Sequence, residues 1–153
     1  MALKRETTKG RKESGRYLAI PQQIPLSNQY ANLGAWSVKL LIDLYTQYNG
    51  SNNGDLCAAF SMMKKRGWRS KGTLSNALTE LTNAGFILKT RQGGKHKASL
   101  YAVTFRAIDE CKGKLDIDPT PVPPNTWKKI KTVPAMRTNV PAMCTNQPNN
   151  KAA

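Results

Sequence analysis

Met62-Met63-Lys64-Lys65-Arg66-Gly67-Trp68-Arg69-Ser70-Lys71-Gly72-Thr73-Leu74 is the stretch that decides the fold. Its first residues close a helix on cations, which suit the negative end of a helix dipole, and Gly67 is the stop. Trp68 is expected to bury its ring beneath the turn and so fix the angle between two helices. Ser70 then opens the next helix as an N-cap, accepting a backbone N–H of the first turn.

Downstream, Leu74, Ala77, Leu78 and Leu81 recur at i, i+3, i+4 and i+7 and form one apolar face. Gly72, Ser75, Asn76, Thr79 and Asn83 fall on the other side, so the exposed face is small and hydrogen-bonding where a merely solvated helix carries a Glu/Lys lattice. Gly85 ends this helix. Phe86–Arg91 reads as a strand, Gln92-Gly93-Gly94-Lys95-His96-Lys97 as a Gly-Gly hairpin tip, and Ser99–Phe105 as the returning strand.

Upstream, Ala58 to Lys65 or Arg66 is the helix before the turn, with Phe60 and Met63 inward, and Asp55-Leu56-Cys57 is long enough for one short strand that pairs with the hairpin. Asn49-Gly50-Ser51-Asn52-Asn53-Gly54 is a turn cluster suited to positive φ. Gly34–Tyr48 is the first strong helix, with Trp36, Leu40, Leu41, Leu44, Tyr45 and Tyr48 on a core stripe and Ser37, Lys39, Asp43, Thr46 and Gln47 largely opposite. Ser27 starts a short helical turn through Leu33, after an extended piece set by Pro21 and Pro25.

This order predicts an α+β fold of the winged helix-turn-helix kind: three helices plus a small antiparallel sheet whose hairpin is the wing. Residues 1–16 are expected to be a disordered basic arm, 17–111 the domain, and 112–153 a mostly disordered Pro- and Asn-rich tail. Trp127-Lys128-Lys129-Ile130-Lys131 is the one island in that tail able to dock on the body or on a partner.

The chain has 153 residues and a formal charge of +15. Such a balance points to an anionic partner, with nucleic acid first and an acidic protein or a membrane surface behind it. Between Asp55 and Phe105, Lys64, Lys65, Arg66, Arg69, Lys71, Lys89, Arg91, Lys95 and Lys97 face only Asp55 and Glu80, so the folded segment is basic in its own right.

Cys57, Cys111 and Cys144 are odd in number and widely separated, which supports neither a disulfide framework nor a zinc site and fits a reducing cytoplasm. The start carries no signal-peptide pattern, and no run approaches the roughly 20 apolar residues of a membrane span. Enzyme chemistry is not expected: there is no phosphate-cradling Gly-x-x-x-x-Gly-Lys motif, no carboxylate pair in the basic domain and no Cys/His nucleophile. No cofactor or metal is implied, and His96, the only histidine, has no carboxylate or cysteine near it in sequence.

Duplex recognition needs an element for the major groove, short polar groups for base edges, and cations for the flanking phosphates. The helix over 70–84 supplies Lys71, Thr73, Ser75, Asn76 and Thr79 after its cap Ser70; Asn76 suits bidentate pairing with adenine. The turn supplies Lys64, Lys65, Arg66 and Arg69, and the wing over 91–97 supplies Arg91, Lys95, His96 and Lys97. Contact with about six phosphates implies a log–log salt slope near −5.

The motif resembles winged helix-turn-helix proteins encoded by bacterial mobile elements. Gln47-Tyr48-Asn49-Gly50 through Asn53–Leu56, Met63–Lys71, Thr73-Leu74, Leu78, Leu81, Gly85–Ile87, Thr90–Gly94, Ser99–Ala102 and Ile108–Cys111 carry the resemblance, which extends weakly to Pro123–Lys129 and so covers about Tyr17 to Lys129. It implies the fold of small DNA-binding accessories of plasmids, prophages and integrative elements, and hardly their task; the use expected for this chain is transcriptional regulation by a cytoplasmic, nucleoid-associated protein, or a replication or partition accessory. The alternative is a protein-interaction or inhibitor module whose cations meet an acidic protein or a ribonucleoprotein of host defence. A palindromic target requires a homodimer, with its surface sought on helix 34–48 or after Phe105.

Overall fold

The computed structural model describes residues 15–130. The arm through residue 14, the chain from Lys131 onward and Cys144 lie outside the described residues. The order of elements is α1 (Asn28–Ala31), α2 (Ala35–Tyr45), β1 (Leu56–Cys57), α3 (Phe60–Lys64), α4 (Lys71–Asn83), β2 (Ile87–Arg91) and β3 (Leu100–Val103), followed by two 3₁₀ turns at Cys111–Gly113 and Thr126–Lys128. This is an α+β chain of four helices, one of them a single turn, and one antiparallel three-stranded sheet in the order β1-β3-β2.

Local chemistry sets the helix ends. Ser27 caps α1 by accepting the Tyr30 N–H, and Ser70 caps α4 by accepting the Thr73 N–H at 3.3 Å. Gly67 (φ +88°) and Gly85 (φ +77°) take the left-handed conformation just after α3 and α4. There the N–H groups of Trp68 and Phe86 reach back to the carbonyls of Met63 and Leu81 at 3.2 and 3.0 Å, a Schellman closure of each helix. α3 is shorter than its sequence pattern, because beyond Lys64 the bonds tighten to i→i+3 through Gly67.

The core joins the helices to one face of the sheet. Leu40, Leu41 and Leu44 of α2, Met63 of α3, Leu74, Ala77 and Leu81 of α4, and Phe86, Ile87 and Val103 of the sheet region are buried in one cluster with Trp68. Burial of a side chain of this size contributes about 1.5–3 kcal/mol. The expected apolar stripe of α2 needs two corrections. Trp36 is 52% exposed, leaning on Trp68 with ring centroids 5.4 Å apart. Ser37 and Asp43, assigned to the polar face, are buried because Ser37 meets Glu80 of α4 and Asp43 meets the Trp68 indole of the α3–α4 turn.

β1 pairs with β3 as expected, Leu56 opposite Tyr101. Its outer side is held by Gln47, whose side-chain amide donates to the Cys57 carbonyl and accepts the Cys57 N–H at 2.8 and 2.9 Å. The turn cluster before β1 does more than reverse the chain. Asn53 is fully buried, donates to the carbonyls of Val103, Arg106 and Ala107, and accepts the Val103 N–H at 2.8 Å.

The β2–β3 hairpin turns within the expected tip over 92–97. Gly94 and Lys97 form the last bridge, which leaves Lys95-His96 as the turn, with His96 at φ +65°. Gly93 is needed for a different reason: a Cβ there would lie 2.7 Å from the Ser99 backbone N.

The chain past Cys111 was expected to leave the body; through Ile130 it stays on it. Asp116 donates its N–H to the Thr90 carbonyl and accepts the Gln92 N–H, each at 2.8 Å, along the outer side of β2. Asn125 donates to the Thr104 carbonyl, and Trp127 is 5% exposed, stacked on Phe86 at 5.9 Å between centroids. Trp127 of the docking island is therefore part of the core, with Lys128 and Lys129 exposed beside it. This strap owes its place to partners far away in sequence, which Pro and Asn content alone conceals.

Candidate nucleic-acid interface

The cations of the α3–α4 turn sit where α3 runs out of helix. Lys64, Lys65, Arg66 and Arg69 are all exposed. Arg66 is only partly free, since its Nε donates to Asp43 Oδ1 at 2.9 Å. Asp43 also accepts from Lys39 Nζ at 2.6 Å and from the Trp68 indole at 2.8 Å, and Lys39 reaches the Arg66 carbonyl at 3.0 Å. Burial works to raise the Asp43 carboxyl, but the bonds from Lys39, Trp68 and Arg66, with the Lys39 charge, outweigh it and hold the group below the ordinary carboxylate value. One carboxylate thereby ties α2 to the turn and sets the approach of α4.

On α4, Lys71, Ser75, Asn76 and Thr79 are exposed and Thr73 is half-buried. Lys71 Nζ lies 5.7 Å from the centre of the Phe60 ring, over the start of the helix. Ser70, predicted among the contacts, is occupied as the cap. Thr79 Oγ1 donates to the Ser75 carbonyl at 3.0 Å, and Thr82 does the same to Leu78 at 2.8 Å.

At the hairpin, Lys95, His96 and Lys97 are exposed around the tip. Arg91 behaves differently: its Nη2 donates to the Ala98 carbonyl at 3.0 Å and its Nε is buried without a partner, so the guanidinium braces the hairpin from inside. Between α4 and the sheet runs a groove of about 270 Å³, walled by Ser75, Thr79, Thr82 and Asn83 on one side and by Lys89 and Tyr101 on the other. Lys89 and Tyr101 were not among the predicted contacts. The signal for Lys89 lay in its alternation with Arg91; Tyr101 gave none, since its place follows from strand register.

Carboxylates are scarce here. Between Phe60 and Phe105 the only one is Glu80, and it faces inward: Oε1 accepts the Gly34 N–H at 2.8 Å and Oε2 accepts the Ser37 hydroxyl, so it caps α2. Among the described residues the ion pairs are Lys39–Asp43, Arg66–Asp43 and Lys114–Asp55, which leave Lys64, Lys65, Arg69, Lys95 and Lys97 uncompensated.

The rest of the inventory carries little chemistry. Among the described residues no three His, Cys, Asp or Glu gather as a metal site, and no helix is long and apolar enough to cross a membrane. Burial, then the charges of Asp55 and Asp109, push the Cys111 thiol up, away from the reactive thiolate. Cys57 is half-buried, its sulfur 3.4 Å from the Ala59 N–H it accepts. Burial likewise raises the phenols of Tyr48 and Tyr101. Comparison with family models, with curated proteins and with solved structures finds no match for this chain.

Proposed function

We propose that this chain is a winged helix-turn-helix protein that reads double-stranded DNA, with α4 as the recognition helix and the β2–β3 hairpin as the wing. The observation that carries the reading is the fate of Glu80. The one acid between Phe60 and Phe105 is turned into the cap of α2. Past Lys71 the face of α4 therefore offers neutral hydrogen-bonding groups, with cations that have no carboxylate partner among the described residues on the turn before it and on the hairpin after it. Phosphate contacts of this kind position a protein on a duplex, and short polar side chains between them read base edges.

In this arrangement Lys64, Lys65, Arg69, Lys95 and Lys97 hold phosphates, while Ser75, Asn76 and Thr79 face the bases. Sequence reading by a protein resembling those of bacterial mobile elements leads us to infer transcriptional regulation within such an element, with no step of chemistry involved. Selection from a random duplex library near physiological salt tests it, comparing the protein with a variant carrying Ser75→Ala, Asn76→Ala and Thr79→Ala. The expected result is one enriched motif that the variant loses. Salt-sensitive binding without any motif overturns sequence reading and favours a module that meets an acidic protein or ribonucleoprotein.

A further inference from the structure

A hydroxyl has one proton and two acceptor lone pairs. Thr79 spends its proton on the Ser75 carbonyl at 3.0 Å, and Thr82 spends its own on the Leu78 carbonyl at 2.8 Å. Such back-bonding is a stable rotamer for threonine in a helix. Both oxygens line the groove beside α4, so what they offer there is acceptor capacity only. The groups around them are different. Ser75 Oγ has no partner among the described residues, the Asn83 amide holds two donors, and Lys89 Nζ rests on the neutral Gln92 Oε1 at 3.2 Å.

An acceptor in the middle of a groove with donors at its rim repels a phosphate oxygen and suits an N–H group flanked by acceptors. In the major groove such groups are the exocyclic amines, N6 of adenine and N4 of cytosine. Resting on the DNA reading above, we infer that Thr79 is a specificity-determining residue that accepts a hydrogen bond from an amino group of the target. Adenine and cytosine satisfy it; guanine and thymine, which present an oxygen at that place, do not. Ser75, one turn earlier and unbound, is the position free to match either kind of base.

The test takes the duplex enriched by the full-length protein and removes its amino groups one at a time, replacing adenine by purine and cytosine by 2-pyrimidinone. Binding is measured for the wild type, Thr79→Val and Thr79→Ser. Valine keeps the branched shape without the oxygen; serine keeps the oxygen. One amine deletion is expected to weaken the wild type roughly 5- to 100-fold. Thr79→Val weakens binding to the intact site similarly, the two changes together are no worse than either alone, and Thr79→Ser restores the response.

Additive losses at every position, or coupling of Thr79→Val to a keto base, overturn the inference while leaving DNA reading intact. Absence of any enriched motif overturns both. A circular dichroism spectrum matching the wild type separates these outcomes from misfolding; should valine disturb the helix, the same cycle is run with Thr79→Ala.

Discussion

Replacing Asp43 by alanine removes one acceptor from three donors, and their exposures decide the cost. The Trp68 indole N–H is the expensive one. Trp68 is 1% exposed, so no water replaces the lost carboxylate, and an unsatisfied buried donor costs about 1–3 kcal/mol. Lys39 and Arg66 are cheaper, since their side chains are 37% and 42% exposed and turn to solvent. Each such pair contributes about 0.5 kcal/mol after screening. The sum is a loss of about 2–4 kcal/mol, read as urea unfolding followed by circular dichroism, because the change perturbs tryptophan fluorescence directly.

The same carboxylate gives a pH signature. Its folded value lies below the unfolded one, so its stabilisation is fully present above the unfolded value near 4 and is lost as pH falls through the folded value. In Asp43→Asn this segment of the acid curve flattens. A cost for Asp43→Ala below about 1 kcal/mol, or parallel acid curves for wild type and Asp43→Asn, would refute the claim that Asp43 ties α2 to the turn.

Three further outcomes are expected. Asn53→Ala leaves the Val103 N–H and a set of carbonyls without their buried partner and should cost about 3 kcal/mol in the same urea assay. Gly85→Ala adds a Cβ 2.7 Å from the Trp127 backbone N at φ +77°, so it should lower stability by about 2–4 kcal/mol. It should also expose the strap over 114–130 to limited proteolysis before the helices are cut. Lys95→Ala with Lys97→Ala should flatten the log–log salt slope of duplex binding by about 2 while leaving the preferred motif unchanged.

Features fixed by neighbours in sequence were legible in advance. Ser70 as cap, Gly67 and Gly85 as stops, Trp68 under the turn and the pairing of Leu56 with the hairpin all follow from patterns a few residues long, joined by one strand register. Features fixed by distant partners were not. A helical wheel places Asp43 and Ser37 on a polar face because it cannot include Trp68 and Arg66, which approach from the α3–α4 turn, or Glu80, which approaches from α4. The hairpin over 92–97 was legible, but not the division of labour within it: Gly93 answers the close approach of Ser99, and the turn itself falls to Lys95-His96.

The candidate interface divides in the same way. Exposure of Ser75, Asn76 and Thr79 follows from the position of the apolar stripe on α4. The inward commitments of Arg91 and half of Arg66 do not, because their partners Ala98 and Asp43 are found only once the chain has folded.

The two rims of the small sheet are both occupied from within: Gln47 on Cys57 at one side, Asp116 on Thr90 and Gln92 at the other. A bare rim is a template on which a second chain adds a strand, the route to runaway β-association at high concentration. Here one amide side chain and one aspartate act as sealants on the exposed ladder. Strand addition at either rim of the described sheet is thereby discouraged as a way for copies to join. At high local concentration copies of this chain can then lie side by side without their sheets fusing.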